Sequence, residues 1–147
     1  MRVILLLFAV LLLVPACDSA SEEGTQPRPD VTTFGQGDFA DIPLLATSEP
    51  LSPPNEEQQA VSRSYVVRNT APEDVLKFYE RQLAEFEVVE APAAIGTDTF
   101  RGRWKLDQGR VLTVSATPGG ALDNPANFGD AVDTLTQYSL SLAPAGS

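Results

Sequence analysis

Between Phe100 and Leu106 the chain alternates strictly, with Phe100, Trp104 and Leu106 on one side and Arg101, Arg103 and Lys105 on the other. Side chains along an extended strand point to opposite faces in turn, so this pattern commits the segment to a sheet with one dry face and one wet face. Gly102 interrupts the apolar side and leaves a gap that a neighbouring aromatic ring or a helix must fill. Asp107-Gln108-Gly109 follows as a tight turn, and Val111-Leu112-Thr113-Val114-Ser115 then returns as a second strand. The chain is therefore expected to make an antiparallel hairpin here, with the cationic row exposed.

Other elements are read by the same logic. Thr70-Ala71-Pro72-Glu73 has the form of a capping box, with Pro72 in the first turn, where its missing N–H costs nothing. Val75, Leu76, Tyr79 and Leu83 recur at spacings of three and four, with Phe78 on the flank, which predicts an amphipathic helix over roughly 71–84. Glu73 precedes Lys77 by four residues, the favourable order for a helical ion pair. Ser64 to Arg68 and Phe86 to Glu90 read as strands before and after it. Tyr138 to Leu142 reads as a last strand, with Tyr138, Leu140 and Leu142 inward and Ser139 and Ser141 outward. Between Ser115 and that strand lies a long loop bearing Gly, Pro and Asn, with a helical turn expected near Phe128 to Val132. The order strand, helix, strand, hairpin, strand predicts a two-layer α+β fold: one amphipathic helix packed on an antiparallel sheet of about five strands.

Composition narrows the chemistry. Twenty acidic residues against ten basic ones give a formal charge of -10, which repels phosphate backbones, so no nucleic-acid partner is expected. With no His and a single Cys, His-based triads and the usual zinc ligand sets have no raw material. Neither an enzyme nor a cofactor is expected. Glu87 and Glu90 are close in sequence, yet an odd spacing along a strand sends them to opposite faces, and both read as solvated charges. The stretch Asp123 to Asp133 offers oxygen ligands suited to Ca²⁺ but misses the EF-hand spacing and its closing Glu, and it reads as an ordinary loop with no metal.

The single cysteine sits directly after the longest apolar run. Val3 to Val14 are twelve apolar positions behind one positive charge, Arg2, too short for a membrane-spanning helix of about 20 residues and suited to a secretory signal. Val14-Pro15-Ala16-Cys17 resembles the lipobox of bacterial lipoproteins. That resemblance implies a diacylglyceryl group on the Cys17 thiol, cleavage before it, and a lipid-anchored protein on the extracytoplasmic side of the cell membrane. Asp18 would imply retention at the inner membrane in a host with two. Two or three acyl chains, each buried CH₂ contributing roughly 0.8 kcal/mol, would hold the protein lastingly. The helix and its lead-in carry a second resemblance. Pro72 to Leu83 is similar to the pattern P-E-x-V-x-x-F-Y-x-x-x-L, and Asp41-Ile42-Pro43-Leu44 to a D-x-P-L lead-in, of a group of small, uncharacterised bacterial envelope lipoproteins. No activity comes with that likeness.

The expected layout is then a signal peptide over 1–16, a lipidated Cys17 with a disordered tether over 17–38, an extended Pro-rich segment over 39–60 and an α+β domain over 61–143. The tether is too poor in apolar residues to offset its ordering entropy. The next segment has Phe39, Ile42, Leu44 and Leu45 to dock on the domain, while Pro43, Pro50, Pro53 and Pro54 forbid a helix or a central strand. The row Arg101, Arg103 and Lys105 is the candidate binding face, open to an envelope protein partner or an anionic ligand; in the plainer reading, cross-strand carboxylates or water satisfy it. Phe100 and Trp104 are read as core and not as a stacking platform. The expected function is a membrane-anchored, non-enzymatic interaction or binding module. The alternative is a small-ligand or lipid carrier with a cavity between helix and sheet.

Overall fold

In the computed structural model, which describes residues 31–51, 55–57, 60–121, 129 and 132–144, the hairpin is the centre of the architecture. Strands β7 (Thr99–Lys105) and β8 (Arg110–Pro118) pair antiparallel, with Phe100 opposite Ala116, Gly102 opposite Val114 and Trp104 opposite Leu112. Gln108 and Gly109 close the turn in the left-handed region, at φ 60° and 73°, and the Leu106 N–H donates to the Arg110 carbonyl at 2.8 Å.

The remaining strands extend this pair in both directions. β9 (Leu135–Pro144) lies beside β8, β5 (Ala60–Arg68) beside β9, and β6 (Glu87–Ile95) beside β7, so the long strands run β5-β9-β8-β7-β6, all antiparallel. Two short strands, β3 (Glu49–Pro50) and β4 (Asn55–Glu57), line the far side of β5. Helix α1 (Pro72–Gln82) connects β5 to β6 at opposite ends of the long strands and crosses one face of the sheet. The expected class holds: α+β, with one helix packed on an antiparallel sheet.

The dry layer is built from the inward half of each strand. Val75, Leu76, Phe78, Tyr79 and Leu83 of the helix segment bury themselves on Trp104, Leu112, Val114, Tyr138 and Leu140, all at most 3 % exposed. Trp104 folds back over Gly102, filling the gap that the missing side chain leaves. Phe39, Ile42, Leu44 and Leu45 join the same core. They are carried by β2 (Pro43–Leu45), which pairs with β1 (Val31–Phe34) in a separate two-stranded sheet. Residues 31–34, within the stretch expected to be tether, are thus a strand, because β2 gives them a ladder to pair with.

Three local expectations are corrected. The helix starts one residue later than a capping box requires: Pro72 occupies the first helical position and holds Ala71 extended (φ −71°, ψ 152°), so Ala71 is the cap and has no side chain to offer. Thr70, displaced from that place, donates its hydroxyl to the Arg68 carbonyl at 3.1 Å. Lys77 pairs with Asp74 at 3.0 Å, not with Glu73. Finally, β6 runs on through Pro92 to Ile95. Proline is tolerated there because β6 is the outermost strand among the described residues, with a ladder on one side only.

Candidate binding face

The outward half of the sheet holds the cationic row. Arg101, Arg103 and Lys105 all point away from the helix, opposite Ser115, Thr113 and Val111 of β8. The two neighbouring glutamates reach the same face, against the expectation that their spacing separates them. One extra residue in β6 between Val88 and Glu90 shifts the register, so Glu87 lies opposite Lys105 and Glu90 opposite Arg103. Glu87 takes a bond from Lys105 Nζ at 3.1 Å. Glu90 Oε1 accepts from both Nε and Nη2 of Arg101, each at 2.9 Å. Two of the three cations are therefore satisfied across the strands, as the plainer reading anticipates. Arg103 is not: although Glu90 faces it in register, that carboxylate is engaged by Arg101, and Arg103 has no ion-pair partner among the described residues.

Hydroxyl groups continue the pattern across the strands. Arg103 lines up with Thr113 of β8 and Ser141 of β9, and Arg101 lines up with Ser115 and Ser139. Neighbouring members of each row are roughly 4.8 Å apart, the spacing of adjacent strands. The hydroxyls of Thr113, Ser115, Ser139 and Ser141 are part-exposed and have no hydrogen-bond partner among the described residues. The outward positions of Ser139 and Ser141 were legible as alternation; their alignment with the arginines needed the register.

A charge feature escaped the sequence reading although simple counting would have found it. Strands β5, β9, β8 and β7 hold six of the chain's ten basic residues and none of its twenty acidic ones. The register divides these six between the two faces: Arg68, Arg101, Arg103 and Lys105 point away from the helix, whereas Arg63, opposite the core residue Leu140, and Arg110, in step with Leu112, have the helix-side parity, so the outward cations gather on β7 beside the acids of β6.

Other polar groups sit elsewhere and differ in kind. Arg110 is bound to the Asp41 carboxylate, whose proton affinity it lowers through that hydrogen bond. It borders a shallow open cleft of about 240 Å³ between Asp38, Val61, Gln108 and Leu142, at one end of the sheet and not between helix and sheet. In the core, the Tyr138 hydroxyl meets Ser48 Oγ at 2.6 Å, and burial pushes Tyr138 up to about 12. Burial raises Tyr79 well above its ordinary value, with the Tyr138 hydroxyl beside it adding to the rise, and Tyr65 to a lesser degree; neither the Tyr79 nor the Tyr65 hydroxyl meets a partner in good hydrogen-bond geometry. Phe100 and Trp104 lie on the helix side, Trp104 wholly buried, so neither is a stacking platform on the open face.

Among the described residues no cluster of acidic, His or Cys side chains could hold a metal ion, and no helix is long and apolar enough to cross a membrane. Most of the Asp123 to Asp133 stretch, including residues 128, 130 and 131 of the expected helical turn, and Cys17 with its signal lie outside the described residues. Comparison of the chain with known families, with characterised proteins and with solved structures finds no match.

Proposed function

We propose that this protein is a lipid-anchored, non-enzymatic binding module on the extracytoplasmic side of the cell membrane, with the open sheet face as its contact surface. The observation that carries the contact surface is the outward cationic row of β7, in which Arg103 has no ion-pair partner among the described residues. A free guanidinium is a strong, directional donor toward carboxylates and phosphates. The anchor rests on Val14-Pro15-Ala16-Cys17. Thirteen residues separate Cys17 from the first strand at Val31. The carrier alternative draws no support from the interior, where Trp104, Phe78, Tyr79 and Tyr138 occupy the space between helix and sheet.

Two measurements on protein from its native host test this reading. Mass spectrometry should find an acylated Cys17 as the N-terminal residue; a bare thiol, or an N-terminus elsewhere, refutes the anchor. Crosslinking in the native envelope should lose its adducts when Arg101, Arg103 and Lys105 are changed together to Ser. Unchanged adducts refute the contact face.

A further inference from the structure

We propose that the open face binds an anionic polysaccharide, with Arg103 taking a carboxylate of the polymer and the hydroxyls of Thr113 and Ser141 hydrogen-bonding its sugar. This deepens the contact-face reading above and rests on it. Three features of the face select that ligand class. First, the ion pairs leave Arg103 as the free cation of its row among the described residues, which calls for isolated negative charges and not a dense array. A nucleic acid, with a charge every ~1.7 Å, presents far more charge than one free guanidinium can match. A polymer carrying one carboxylate per sugar or two is sparse enough to be accepted. Second, the groups beside Arg103 are hydroxyls, each a donor and an acceptor at once, which is the complement that a polyol presents in return. The row Arg103, Thr113, Ser141 steps at roughly 4.8 Å, close to the length of one sugar unit, so a chain lying across the strands meets a polar group at each residue. Third, the rows of Arg101 and Arg103 carry no aromatic or large aliphatic side chain on β7, β8 and β9, and the apolar neighbour on this face, Val111 opposite Lys105, is only 8 % exposed. A folded protein partner draws much of its affinity from aromatic anchors as well as from arginine, and these rows offer none of the former.

The test uses the full chain in detergent micelles and three soluble polymers, read by titration calorimetry at low salt. Polygalacturonate supplies carboxylates on sugars, dextran supplies sugars alone, and polyglutamate supplies carboxylates alone. Polygalacturonate should bind at least about tenfold more tightly than either of the others, and Arg103→Gln should weaken it by about tenfold or more with the melting temperature unchanged. Thr113→Val, which keeps the shape and removes the hydroxyl, should weaken it several-fold and serves as an independent reading if Arg103→Gln is poorly folded. No heat of binding with polygalacturonate, equal or tighter binding of polyglutamate, or full affinity in both variants overturns the proposal. Equal binding of polyglutamate would point instead to an acidic protein segment. If the triple Ser variant loses its native adducts while polygalacturonate fails to bind, the ligand class falls and the contact face stands.

Discussion

Replacing Gly102 by Ala tests the packing at the centre of the sheet. A methyl group built there would lie 2.5 Å from Trp104 Cη2, 2.9 Å from Trp104 Cζ3 and 3.3 Å from Leu76 Cδ1. Trp104 is fully buried and Leu76 nearly so, so the ring has no solvent side to retreat toward. Overpacking of this kind costs about 1–3 kcal/mol. Against it stands a gain of roughly 0.5–1 kcal/mol for removing Gly from a strand interior. The balance is a loss of about 1–2 kcal/mol, a fall in melting temperature of about 4–16 °C for a domain of this size. Urea unfolding followed by the fluorescence of Trp104, the chain's single tryptophan, reads it directly. The same substitution in a Trp104→Phe background removes the obstruction and should be neutral or stabilising there, giving a coupling energy of about 2 kcal/mol by circular dichroism. A Gly102→Ala protein as stable as wild type, or an equal cost in both backgrounds, would refute the account of how the ring and the glycine fit.

Tyr79→Phe should leave stability unchanged or raise it by about 1 kcal/mol in thermal melts, because it removes a buried hydroxyl that meets no partner in good hydrogen-bond geometry; a loss above that size would mean that the hydroxyl is bonded. Thr70→Ala should cost less than about 0.5 kcal/mol in urea titration, since Ala71 caps the helix, where a capping threonine would cost about 1 kcal/mol. Asp41 has its pKa lowered by Arg110, so the pair stabilises the fold above the carboxyl's ordinary value of 3.8 and loses that contribution as pH falls through the lower folded value. The melting-temperature gap between wild type and Asp41→Asn should therefore be present at neutral pH and close on acidification; a gap that widens in acid would contradict this sign.

Periodicity carried most of the fold. The hairpin, the buried stripe from Val75 to Leu83 and the alternation at Tyr138 to Leu142 were legible because each repeats a residue class at the period of its own element. The reading failed where one residue overrode a pattern. Pro72 moved the helix start by a single position and emptied the capping box. The extra residue between Val88 and Glu90 had no local signature, yet it turned Glu90 onto the face where Arg101 engages it. The candidate face was half visible: the cationic row could be read from its own strand, whereas its alignment with Thr113, Ser115, Ser139 and Ser141 depends on pairings with residues up to forty positions away. Val31–Phe34 was missed as a strand because it lies in a stretch poor in apolar residues, and the ladder that β2 gives it leaves no mark in its own sequence.

The junction of β5 with β9 sets an order of events during synthesis. Val61 pairs with Leu142 and Arg68 with Leu135, so one side of the first long strand is filled only by the last strand described. Until Leu135–Pro144 has left the ribosome, β5 lacks a ladder on that side and α1 lacks Tyr138 and Leu140 to lie on. Contacts so distant along the chain form late. β6, β7 and β8 can pair with one another as they are made, but the layer between α1 and the sheet closes only once Leu135–Pro144 is free.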